Sequence, residues 1–134
     1  MRKTAHSMVE EATAAIRTYS VEEAIDLHGR EDVQFIDIRD VRELERDGVI
    51  PGAFHAPRGM LEFWACPESK HHKDVFAGGK HLVLFCAAGW RSALATKTLQ
   101  DMGVPKVAHI DGGFGAWKSA GAPTAVKPAR TPPK

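Results

Sequence analysis

The stretch His81-Leu82-Val83-Leu84-Phe85-Cys86-Ala87-Ala88-Gly89-Trp90-Arg91-Ser92-Ala93 decides how this chain is read. Leu82 to Phe85 are four apolar residues in a row, as in a strand buried on both faces of a parallel sheet. From Arg91 the spacing becomes helical. Ala95, Leu99 and Met102 stand at i, i+4 and i+7, Gly103 follows as a stop, and Pro105 lies just beyond. Cys86 therefore falls at the C-terminal end of a strand, facing the N-terminus of a helix. The free N–H groups and partial positive charge there bind anions and favour a thiolate over a thiol. Gly89 allows several N–H groups to turn inward as an anion nest, and Arg91 adds a planar fork of donors. The reading is a nucleophile in an anion-binding cradle. A buried cysteine that merely ends a core strand is the plainer alternative, but it needs neither the glycine nor the arginine.

Cys86-Ala87-Ala88-Gly89-Trp90-Arg91, followed by Ser92, resembles the active loop of the rhodanese-like sulfurtransferases. Two further stretches resemble signatures of that family. Gly48-Val49-Ile50-Pro51-Gly52-Ala53 is similar to its Gly-His-Ile-Pro-Gly-Ala, with Val49 where histidine is usual, and it runs on to Pro57. Gly112-Gly113-Phe114-Gly115-Ala116-Trp117 is similar to its closing Gly-Gly-x-x-x-Trp. The resemblance covers residues 17 to about 120. Phosphatases and arsenate reductases that share the fold carry a loop one residue longer, so the six-residue form implies sulfur as the transferred atom.

The resemblance implies a ping-pong mechanism. The Cys86 thiolate attacks the outer sulfur of a small anionic donor such as thiosulfate, sulfite leaves, and a persulfide remains. A thiol or cyanide, or a protein acceptor, then takes that sulfur. Ala87, Ala88, Gly89, Trp90, Arg91 and Ser92 are the expected substrate-binding wall, and no cofactor is implied. Family members that prefer thiosulfate often carry basic residues within the loop. Ala87 and Ala88 depart from that pattern, which points to a persulfide or a partner protein as donor. A non-enzymatic module that binds or senses persulfides through the same cradle is the alternative, and a phosphatase or arsenate reductase the remoter one.

The rest of the chain fits a single domain. Its 134 residues suffice for one core, and 43% hydrophobic with 26% charged residues are ordinary globular values. Eighteen basic against 17 acidic residues leave a net charge of +1, with no pull toward nucleic acid or a membrane surface. Two cysteines form no disulfide framework, and no apolar run approaches the roughly 18 residues of a membrane span. The expectation is a cytoplasmic protein without a leader.

Working outward, residues 1–16 read as an amphipathic helical extension, with Met8, Val9, Ala12 and Ile16 near helical spacing, covering the sheet or meeting a partner. Arg17–Tyr19 reads as an edge strand. Ser20 with Glu23, and Asp40 with Glu43, form capping boxes that open two helices around a strand at 33–38. A short helix near Met60–Trp64, a polar connection over 67–79, a strand over 106–110 and a helix through Trp117 follow. From Gly121 the prolines and basic residues predict a disordered tail over 121–134. Strands alternating with helices give an α/β, rhodanese-like fold, a mostly parallel sheet of about five strands with helices on both faces. Ligands of such sheets bind outside the strands' carboxyl ends, where Cys86 lies.

Other residues carry two readings each. Arg91 contacts an anion or pairs with a carboxylate, and the loop's end favours the first. Asp37 and Arg39, also at a strand's C-terminal end, read as a pair fixing the strand–helix turn. Arg58 is a candidate for the pocket rim. Trp90 lines the pocket or docks an acceptor if it points outward, and packs on the sheet if inward. Cys66 reads as a small apolar residue rather than a resolving thiol. Cys66, His71, His72 and His81 match no zinc spacing.

Overall fold

The computed structural model describes residues 1–128. Strands β1 (Arg17–Tyr19), β2 (Val33–Asp37), β3 (Phe54–His55), β4 (His81–Phe85) and β5 (Val107–Ile110) alternate with helices. The helices are α1 (Ala5–Ala15), α2 (Val21–Leu27), α3 (Val41–Asp47), α4 (Leu61–Ala65), α5 (Trp90–Met102) and α6 (Gly113–Ser119). The five strands form one sheet, in the order β1-β5-β4-β2-β3, with every pairing parallel. Both expected capping boxes are made: Ser20 and Glu23 open α2, and Asp40 and Glu43 open α3.

Central β4 is buried on both faces, as its unbroken apolar run requires. Its alternation divides the core. Leu82, Leu84 and Cys86 pack with Ala95 and Leu99 of α5, with Leu61 and with Phe76, which lies in a short 3-10 turn within the 67–79 connection. Val83 and Phe85 pack on the other face with Phe114 and Trp117 of α6 and Ala24 of α2. Trp117 is fully buried, its indole N–H donating to Pro123 O at 2.7 Å.

Three local expectations are corrected. Met102 is 43% exposed, because it closes α5 where the helix leaves the core. The N-terminal helix covers α5 rather than the sheet: α1 packs along it, buries only Ala12, and receives a hydrogen bond from Gln100 to Ala15 O at 2.8 Å. The tail is ordered at its start, since Ala125 exchanges backbone hydrogen bonds with Val49 at 2.8 and 2.9 Å. The remainder of the expected disordered tail, 129–134, lies outside the described residues.

Candidate functional site

Cys86 is the first residue past β4 and shares the face of Leu82 and Leu84, so strand alternation aims its thiol beneath the N-terminus of α5. Helix α5 has Gly89 as its N-cap, with φ 106°, a left-handed conformation that glycine adopts freely. Glycine has no side-chain oxygen for the helix's free amides. The sulfur takes that place: Gly89 N donates to Cys86 Sγ at 3.1 Å and Ser92 N at 3.4 Å. A third polar group, Ser92 Oγ, stands 3.5 Å from the sulfur. Cys86 is 1% exposed, so the sulfur forms the floor of the cradle. Trp90 and Arg91, the last two loop residues, are the first turn of α5.

The loop is held from below by α6. Phe114 N donates to Cys86 O at 2.8 Å and Gly115 N to Ala87 O at 3.0 Å. Engaging those carbonyls turns them away from the sulfur and leaves the following amides free to face it. So close an approach needs glycine at 113. A Cβ there would stand 2.3 Å from Cys86 O, and its φ is +58°.

Of the two contacts that the sequence left open, Arg91 makes the carboxylate pair. Its guanidinium forms a bidentate pair with Glu43 of α3, at 2.9 Å for each bond. That pairing holds its pKa above the usual value, and nearby Cys86 adds to the rise. Glu43 is pushed down to about 2, mainly by its hydrogen bonds from Arg91 and despite its own burial. The same carboxylate closes the α3 capping box on Asp40 N. Its unfolded value is near 4.5, so the pair stabilises fully above that pH and the benefit is lost as pH falls toward 2. Because Arg91 is 42% exposed, solvent screens the pair. Glu43→Gln should therefore cost about 1–2 kcal/mol at pH 7. Urea unfolding at pH 7, 4 and 3 should show that difference shrinking with acidification.

Asp37 and Arg39 behave as the plainer reading expects. Both are buried, joined at 2.7 Å, and Arg39 also donates to Gly48 O and stacks over the Phe114 ring. They tie β2 to the turns around it and do not touch Cys86. Arg58 pairs with Glu62 and lines a groove between α1 and α5 with Met8, Leu94 and Lys97, so it is not among the groups around the sulfur. Trp90 points outward and is 70% exposed. Ala87 is half-buried and Ala88 exposed on the loop's outer surface. Cys66 is free and half-buried at the end of α4. Sequence reasoning missed Glu43 as the partner of Arg91, and missed His109, whose Nδ1 is 2.9 Å from Ser92 Oγ. The one signal for His109 was its place in a strand between apolar residues.

Against this geometry, the family model described as a rhodanese-like domain matches residues 20–120. A sulfurtransferase of Allochromatium vinosum is 32% identical over 93 residues, 69% of this chain and 78% of that protein. An uncharacterized protein of Synechocystis is 32% identical over 106 residues, 79% of this chain but only 54% of that longer protein. A solved structure from Rhodopseudomonas palustris, described as of unknown function and a possible tyrosine phosphatase, is 52% identical. It superposes with a TM-score of 0.91, covering 93% of this chain and 96% of that one.

Proposed function

Because this chain belongs to the rhodanese-like domain family, we propose that it is a sulfurtransferase carrying a sulfane sulfur as a persulfide on Cys86. The observation that carries the reading is the convergence of two backbone N–H groups and one hydroxyl on a single buried sulfur. Such donors hold the Cys86 thiolate, both before it accepts a sulfane sulfur and after it gives one up. The Cys86 thiolate attacks the outer sulfur of the donor, forming one S–S bond with its electron pair. The donor's own bond to that sulfur breaks, and the leaving group departs with the pair, as sulfite if the donor is thiosulfate. An acceptor thiolate or cyanide then attacks the terminal sulfur, and the Cys86 thiolate leaves. A relative named as a sulfurtransferase supports the assignment.

The donor follows from charge. Ala87 and Ala88 add none, and Glu43 already occupies the Arg91 fork. A doubly charged donor such as thiosulfate meets no uncommitted cation in the loop, so a small persulfide or a partner protein is the better source. We expect kcat/KM for thiosulfate about tenfold below that for a low-molecular-weight persulfide, the scale of one missing charge-assisted contact. Equal values would overturn the preference.

Intact mass tests the main reading, since incubation with a small persulfide should add one sulfur atom to the chain. Turnover with excess donor and cyanide should then run through many equivalents of thiocyanate, whereas a sensor stops after one. The description of the Rhodopseudomonas protein makes a phosphatase the second reading. The six-residue span from Cys86 to Arg91 argues against it, and hydrolysis of an aryl phosphate at rates rivalling sulfur transfer would restore it.

A further inference from the structure

Three parallel strands bring an unforeseen set of polar side chains together beneath α5. The register places Thr18 of β1 beside His109 of β5, and His109 beside Leu84 of β4, two residues before Cys86. His109 follows Val107 on the α5 face of the sheet and is 3% exposed. Its ring joins two hydroxyls. Nδ1 is 2.9 Å from Ser92 Oγ, and Nε2 is 3.1 Å from Thr18 Oγ1. Burial holds the imidazole below its usual range, with Asp111 alone opposing that shift. The ring is therefore neutral near pH 7, with a proton on one nitrogen only.

Which nitrogen carries it governs the sulfur. Ser92 has a single hydroxyl proton and three acceptors within reach: His109 Nδ1 at 2.9 Å, Gly89 O at 3.3 Å and Cys86 Sγ at 3.5 Å. A bare Nδ1 is the nearest and takes that proton. A protonated Nδ1 donates to Ser92 Oγ instead, releasing the hydroxyl proton to the other two acceptors, of which an anionic sulfur attracts it more strongly than the neutral Gly89 carbonyl. The Thr18 hydroxyl can donate to Nε2, and that selects the Nδ1–H form.

We propose that His109 is a positioning residue for Cys86. Set by Thr18, it donates to Ser92 and so aims the Ser92 hydroxyl at the anionic sulfur. This rests on Cys86 being the sulfur carrier, and it adds a line of support from β1, the edge strand, to the reactive atom. The Cys86 thiolate would then be met by three donors, two from the backbone and one oriented through the imidazole.

The test reads the thiolate directly, so it is independent of whether sulfur transfer is the reaction. In a Cys66→Ser background, the rate of Cys86 alkylation by iodoacetamide is followed from pH 5 to 10. His109→Phe keeps the ring and removes both nitrogens. It should move the profile upward by about one pH unit and slow alkylation at pH 7 about tenfold, as loss of a hydrogen bond to a charged group does. Thr18→Val, nearly the same shape and remote from the sulfur, should move the profile in the same direction by a smaller amount. His109→Asn, which can place an N–H near the Nδ1 position, should restore the parent profile. In the Ser92→Ala background, His109→Phe should add nothing, since both act through one hydroxyl. An unmoved profile in Thr18→Val overturns the proposal even if His109→Phe fails to fold. Additive shifts in the double variant overturn it as well.

Discussion

Cys86→Ser is expected to reduce sulfur transfer by at least about 10³-fold while leaving the protein folded. Serine places an oxygen where the amides of Gly89 and Ser92 now meet the sulfur, so the N-terminus of α5 keeps an acceptor. A neutral hydroxyl in that position neither attacks a sulfane sulfur at neutral pH nor forms a persulfide. Thermal melting and turnover, measured together, separate the two effects. Cys86→Ala makes the complementary comparison. It too is inactive, but it removes the acceptor and should cost about 1 kcal/mol of stability that Cys86→Ser does not. If Cys86→Ser kept substantial turnover, the carrier would lie elsewhere. Mass analysis of the peptide holding Cys66, the other free cysteine, would show whether the sulfur had moved there.

The second large effect is expected at Gly113. An added Cβ would lie 2.3 Å from Cys86 O and 2.9 Å from Ala87 C, both backbone atoms that cannot swing aside. Relief requires moving either the Cys86 loop or the first turn of α6, and either breaks the bond from Phe114 N to Cys86 O. Gly113→Ala should therefore cost about 2–4 kcal/mol, combining a left-handed alanine with a broken buried contact. Turnover of the fraction that stays folded should fall by at least about tenfold, because the amides no longer converge on the sulfur. Gly29→Ala is the control. Its φ is +86°, yet nothing lies within 4 Å of the added Cβ. It should cost only about 1 kcal/mol and leave turnover unchanged. Equal effects at the two glycines would mean that backbone conformation, and not the contact with the loop, dominates.

What could be read from the chain in advance was local. Glu23 and Glu43 cap helices three residues from their partners, Gly103 ends α5 in a left-handed turn, and Cys86 follows an apolar strand. Each depends on neighbours within one turn or one strand. Arg91 and Glu43 lie 48 residues apart, and His109 and Thr18 lie 91 apart, so their pairing exists only once the sheet order is set. Periodicity does not announce that order. Met102 fits a helical stripe by spacing but stands where α5 has already passed the core. Likewise, the apolar positions of α1 specify a buried side without saying that α5 will provide it. Composition misled over the start of the tail, where the Pro123 carbonyl accepts from the Trp117 indole and Ala125 pairs with the Val49 backbone.

The grip of α6 on the loop also bears on how the chain is made at the ribosome. Cys86 emerges well before Phe114 and Gly115, and β4 must wait for β5 to occupy its second edge. Until then the Cys86 and Ala87 carbonyls have no α6 amides to turn them, and His109 has not yet been added. A nascent chain translated only through α5 carries the cysteine and its cradle without the α6 amides that fix the loop. The loop geometry around Cys86 is therefore completed late in synthesis, by α6 and not by the segment that carries the cysteine.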